Sequence, residues 1–185
     1  AIARQAFDNS GGTAGALVGA DLVLCCDQPP ESVSAVGPSS DLMGVTVETA
    51  YDVTRTIAKN SLRVGDRLRF VSIVKAGSGA AGANTVKGYI NGIGSGVLFT
   101  APATTFSAND TVVSFIDAYV ASIGASGSLS LAGQLTTGTI GTATARASAS
   151  SLTIDTTVDN VVTIANTPNN IADTSSLLFL SVERL

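Results

Sequence analysis

The feature that most constrains this chain is the shortness of its apolar runs. β-Branched and aromatic residues recur at every second position, and Gly, Ser, Asn or Pro closes each run before a helical face can form. Leu68, Phe70 and Val74 alternate with Arg67, Arg69 and Lys75, which predicts a strand with one face inward and a charged face outward. Val86, Gly88 and Ile90 oppose Lys87, Tyr89 and Asn91 in the next. Over 111–123, Val112, Ile116, Ala118 and Val120 face one way and Val113, Phe115 and Tyr119 the other. Both faces are apolar there, the pattern of a strand covered on two sides. Leu129, Leu131 and Leu135 mark another strand, residues 158–165 another, and residues 177–182 the last.

Turn signals separate these runs at 77–82, 91–92, 124–127, 138–141 and 168–170. Connections this short favour antiparallel neighbours, because a parallel pair needs a crossover of a dozen or more residues. Residues 47–62 admit two readings. Val47, Tyr51, Thr54 and Ala58 share one helical face, whereas Val45, Val47, Thr49, Tyr51 and Val53 alternate as a strand, and the strand reading is preferred. The result is an all-β antiparallel sandwich over 45–185. Residues 1–44 differ: Gly11-Gly12, Pro29-Pro30 and Gly37-Pro38 break them into pieces around one apolar run at 16–26, which predicts an extended N-terminal arm. A β-capable run of that kind needs a partner for its backbone donors: the domain, a sister subunit or another surface.

A soluble chain of 185 residues removes roughly 70% of its unfolded surface from water, so it needs no disulfide or metal to hold it together. Charged residues make up 13% of it, about half the usual ~25%. Small uncharged outer faces can be covered by a neighbouring subunit at little desolvation cost, so the composition favours assembly. The net charge of −4 is uneven: Asp8, Asp21, Asp27, Glu31 and Asp41 stand against Arg4 alone in the first 46 residues. That balance argues against nucleic-acid binding. The one basic cluster, Arg55, Lys59, Arg63, Arg67, Arg69 and Lys75, has only Phe70 as an interleaved ring and reads as solvated strand and loop edges. No stretch reaches the roughly 20 apolar residues of a membrane helix. The run at 14–24 is interrupted by Asp21 and preceded only by Arg4, so no signal peptide is read, and Ala1 fits the loss of an initiator Met, although a trimmed start would look the same. Cys25 and Cys26 are adjacent, a poor geometry for a disulfide, and read as reduced thiols on a strand; a strained pair or an intermolecular bridge is the alternative.

The chain contains no His, which removes Ser-His-Asp and Cys-His catalysis and most zinc sites. Paired acids of the glycosidase kind remain open, but there is no Trp to stack a sugar. Asp155 and Asp159 bracket a Thr-rich turn and could offer oxygen ligands to a cation; carboxylates that cap backbone amides are the plainer reading. Residues 77–82, Gly-Ser-Gly-Ala-Ala-Gly, match the dinucleotide fingerprint formally. The glycines at 88, 92, 94 and 96 forbid the helix that should follow, and no acid lies between Asp66 and Asp110 to hold a ribose, so a hairpin loop is expected. No catalytic, cofactor or metal residue is assigned, and the chain reads as non-enzymatic.

Residues 57–69, Ile-Ala-Lys-Asn-Ser-Leu-Arg-Val-Gly-Asp-Arg-Leu-Arg, resemble a pattern recurrent in phage and prophage virion proteins: Ile-Pro-Ala-Asn-Thr-Leu, two variable residues, Gly-Asp, one variable residue, Leu-Arg. Ala58 departs from it where Pro is common. The resemblance continues in order through the Gly-Ser-Gly segment, Ser114-Phe115-Ile116, Ser128-Leu129-Ser130, residues 155–160 and the closing run 178–185, and so spans 45–185. It implies a jelly-roll-like sandwich that forms trimeric knobs, head fibres or decoration proteins on tailed-phage particles. The expected protein is a capsid decoration or cement protein on the virion surface, made in the bacterial host cytoplasm. It would be a homotrimer held to the major capsid protein or another virion protein through the arm, with no nucleic-acid, membrane or cofactor partner. The alternative is a receptor- or glycan-binding tip of a head or tail fibre, against which the nine Phe and Tyr and the absence of Trp weigh.

Overall fold

A computed structural model describes residues 37–77, 83–101, 103–105, 107–138 and 144–185, with side chains described except at 104, 134–138 and 144–149. Residues 1–36 of the arm, with Cys25 and Cys26, lie outside the described residues, as do 78–82 and 139–143 within two of the expected turns.

The strands are β1 (Thr49–Ile57), β2 (Arg67–Ala76), β3 (Ala83–Ile90), β4 (Gly96–Thr100), β5 (Thr104–Thr105), β6 (Thr111–Ser122), β7 (Gly127–Gly138), β8 (Thr144–Ile154), β9 (Asn160–Thr167) and β10 (Ser175–Arg184). No helix occurs among the described residues. One sheet runs β1-β9-β3-β4 with β5 beside β3, the other β10-β2-β6-β7-β8, and every pairing is antiparallel. The steps β1–β2, β2–β3, β5–β6, β8–β9 and β9–β10 pass from one sheet to the other, so the chain winds around the core in the jelly-roll-like manner expected.

Period-two alternation builds the core. Leu68, Phe70 and Val74 of β2 and Val112, Ile116, Ala118 and Val120 of β6 turn inward onto Val86 and Ile90 of β3 and Val162 and Ile164 of β9, all buried in one cluster. Each large side chain so buried contributes about 1.5–3 kcal/mol. The inward rows of β2 and β6 also carry Ser72 and Ser114, directly opposite one another, whose hydroxyls meet at 2.6 Å and satisfy each other inside the sandwich. A second buried polar group ties the sheets together near the start of β10: the Tyr51 hydroxyl donates to Ser175 Oγ at 2.8 Å, and Asn166 Nδ2 donates to the same oxygen at 2.9 Å and to Asn84 Oδ1 at 3.1 Å. Burial pushes the Tyr51 hydroxyl far above its ordinary value and keeps it a neutral donor.

Three details differ from the sequence pattern. β1 is a strand, but its register shifts between Ala50 and Thr54, so Tyr51 turns inward while Val47 lies before the strand and is 68% exposed. β4 and β8 carried no readable signal: β4 is short and lies among glycines, and β8 is rich in Ala and Ser. Among the described residues, β6 has one buried face and one partly exposed face. On its second apolar face, Phe115 and Tyr119 are each about half exposed.

Residues 37–44 hydrogen-bond along β10. Ser39 N donates to Leu177 O at 2.8 Å and Ser39 Oγ accepts from Leu177 N, while Leu42 and Ser175 exchange both backbone bonds.

The segment that carries the Gly-Asp motif forms a junction between three distant parts of the chain. Gly65, at φ +91°, makes a turn that L side chains rarely adopt, and its N–H donates to Val120 O at 2.8 Å. The Val120 N–H donates in return to Asp66 O. The Asp66 carboxylate accepts from Arg63 N at 2.7 Å and from Arg184 Nη2 at 3.0 Å, while Arg184 Nη1 donates to Ser61 O. The start of β2, the end of β6 and the end of β10 are thus locked at one point. Asp66→Ala leaves the Arg63 amide and the Arg184 guanidinium without this acceptor and is expected to cost about 1–3 kcal/mol in urea unfolding. A loss indistinguishable from zero would contradict the junction's assigned role.

Candidate interaction surface

The period that fills the core also dictates what points away from it. On β2 the outward residues are Arg67, Arg69, Val71, Ile73 and Lys75, and on β6 they are Thr111, Val113, Phe115, Asp117 and Tyr119. The register places them in rows across the sheet: Phe179, Ile73 and Val113 in one, Ser181, Val71 and Phe115 in the next, then Glu183, Arg69, Asp117 and Ala132, and finally Arg67, Tyr119 and Ser130. Two apolar rows therefore lie in the middle of the face beside two polar ones. Phe115 is 46% and Tyr119 48% exposed, while Val71, Ile73, Val113 and Phe179 are half-buried.

Asp117 organises the polar rows. It accepts from Arg67 Nη2, and from Arg69 Nε at 2.9 Å and Nη2 at 3.3 Å. The Arg69 hydrogen bond, and secondarily that of Arg67, holds the Asp117 carboxyl below the usual carboxylate range against the opposing pull of desolvation. The Arg67 guanidinium also lies 5.7 Å from the centre of the Tyr119 ring, within cation–π range. Two members of the basic cluster read from the sequence thus share one carboxylate on this face, and Lys75 marks its far end. Lys59 and Arg63 lie exposed in the loop between β1 and β2. Asp117 was not singled out from sequence, because its pairing with Arg69 appears only once the β2–β6 register is known.

The other charged cluster sits at the β1-β9-β3-β4 sheet, where Glu48 accepts from the Tyr89 hydroxyl and from Lys87 Nζ at 3.2 Å. Burial and the Glu48 bond raise the Tyr89 hydroxyl above its ordinary value, and Glu48 raises Lys87. These groups compensate one another within the protomer.

Asp155 and Asp159 each bond a backbone amide through one carboxylate oxygen. Asp155 Oδ1 accepts from Thr157 N at 2.8 Å and from Thr157 Oγ1, bonds that hold its carboxyl below the ordinary value, and Asp159 Oδ1 accepts from Lys59 N at 2.8 Å. Both carboxylates cap amides. Among the described residues, no three His, Cys, Asp or Glu gather as a metal cluster. Of the Gly-Ser-Gly-Ala-Ala-Gly segment, residues 78–82 lie outside the described residues, and Ala83–Ile90, which follows it, is a strand.

No family model and no curated protein matches this chain. Among solved structures it is similar to the CBM2 module of the evolved Dit of Lactobacillus casei BL23 phage J-1, at 13% identity over 85% of this chain and 91% of that one, with a TM-score of 0.34. It is also similar to dimeric latent PorU from Porphyromonas gingivalis, at 15% identity over 84% of this chain and 13% of that one, with a TM-score of 0.33.

Because the folded Asp117 takes up a proton less readily than the unfolded chain, its ion pairs stabilise the fold fully above the ordinary Asp value of 3.8, and their contribution disappears as pH falls through the depressed one. Both partners are partly exposed, so the effect is about 1 kcal/mol or less. Asp117→Asn should be less stable than wild type by that amount at neutral pH, and the two unfolding curves should converge in acid. A difference that persists unchanged at low pH would contradict this assignment.

Proposed function

We propose that this chain is a non-enzymatic structural protein of a tailed-phage particle, a decoration or cement protein that sits on the head as a homotrimer. It is made in the host cytoplasm and joined to the major capsid protein or another virion protein through its N-terminal arm. The observation that carries the reading is the junction at Asp66. The motif at 57–69, the strand that contains Ser114-Phe115-Ile116 and the closing run 178–185 bear the resemblance to phage virion proteins, and they are the three parts that Gly65, Asp66, Val120 and Arg184 tie together. The resemblance therefore falls on residues that build the sandwich and its closure.

A fibre tip that binds a receptor or glycan is the second reading. The pair of exposed rings favours it, since Phe115 and Tyr119 share one face of β6 and flank a carboxylate and two guanidinium groups. Sugar rings stack on exposed aromatic faces, and their hydroxyls take bidentate bonds from such charged groups.

Copy number and position on intact particles distinguish the two. Quantitative mass spectrometry with immunogold labelling should find hundreds of copies spread over the head, and a handful of copies at the tail would contradict decoration. Removal of residues 1–36 retains the bonds of Ser39 and Leu42 to β10, so the truncated protein should keep its β circular dichroism while failing to co-sediment with particles that lack it. Undiminished co-sedimentation would remove the arm from the attachment role.

A further inference from the structure

We infer that the outer face of the β10-β2-β6-β7-β8 sheet, centred on Phe115, is the surface through which copies of this chain meet. The inference rests on the assembly proposed above and assigns that assembly to particular residues. Five large apolar side chains, Val71, Ile73, Val113, Phe115 and Phe179, form two adjacent rows across three neighbouring strands; Phe115 is 46% exposed and the other four are partly buried. Contiguous apolar surface of this kind, bordered by polar residues, marks a contact site.

Three features of the face select another copy as its occupant. It is a sheet face several strands wide, so three copies can turn it toward a common axis, each meeting its two neighbours through different strands of the same face, which closes a ring of three. Its charges are self-complementary: the row Glu183, Arg69, Asp117 alternates negative, positive, negative, so a copy of the row displaced by one strand sets cation against carboxylate. Finally, Asp117 and Glu183 together offset the two charges of Arg67 and Arg69 within the protomer, so the polar rows enter a contact with no net charge. A saccharide would use the two rings and the ion pairs, but it would leave the aliphatic rows of Val71, Ile73 and Val113 in water.

Sedimentation velocity on the full chain at micromolar concentration tests this directly, with circular dichroism confirming that each variant is folded. Wild type should sediment as a trimer. Phe115→Arg, and independently Ala132→Arg, which alters an exposed position in the row of Asp117, should sediment as monomers. Phe115→Leu should remain trimeric, as should Val97→Arg, which alters an exposed residue of β4 on the other sheet. Trimers from both arginine variants would overturn the inference and leave the assembly proposal standing, whereas a monomeric wild type would overturn both. Trimeric arginine variants that also lose binding on a glycan array would reassign the face to a saccharide.

Discussion

Everything in this structure follows from the fact that a strand has two faces and a sandwich buries one of them. β2 and β6 lie side by side in the β10-β2-β6-β7-β8 sheet and direct Leu68, Phe70, Val74, Val112, Ile116 and Val120 into the common core. That choice of face cannot be relaxed locally, because a slip of one residue would bring Arg67, Arg69 and Asp117 into the core and leave its Leu, Val and Ile in solvent. The same register therefore forces Val71, Ile73, Val113, Phe115 and Tyr119 outward. A monomer keeps this apolar surface in water and forgoes about 25 cal/mol for each Å² that could be covered.

The remaining polar chemistry serves to hold the sandwich closed. Asp66 collects Arg63 and Arg184 at one end, and Tyr51, Asn84, Asn166 and Ser175 share hydrogen bonds inside. Asp155 and Asp159 spend their oxygens on the amides of Thr157 and Lys59. Carboxylates occupied in this way fasten backbone segments to one another. Asp117, Arg67, Arg69 and Tyr119 place charged and aromatic groups side by side on the outer face of β2 and β6.

The inner face of this fold was legible in the sequence because it is written in large side chains at period two: Leu68, Phe70 and Val74, then Val112, Ile116, Ala118 and Val120, are all buried as their alternation required. β8 was not legible, since Ala and Ser at alternate positions carry almost no contrast between faces, and the place of β4 depends on pairing with β3 rather than on its own five residues. The break in the alternation of β1 was invisible as well, because its cause is a register shift against β9. The outer surface was half legible. Phe115 and Tyr119 stood out as an apolar second face, yet whether that face is covered within the chain depends on the position of the other sheet. The joining of Asp117 to both arginines depends on a register that no local pattern encodes.

Hydroxyl-radical footprinting of Phe115 and Tyr119 across a dilution series tests the central claim most directly, namely that the outer face of the β10-β2-β6-β7-β8 sheet is hidden by copies of the same chain. At micromolar concentration both rings should be protected despite being nearly half exposed in the single chain, and both should become labelled as the protein is diluted to nanomolar levels. Equal labelling at all concentrations would show that the face stays open to water, and would contradict the account.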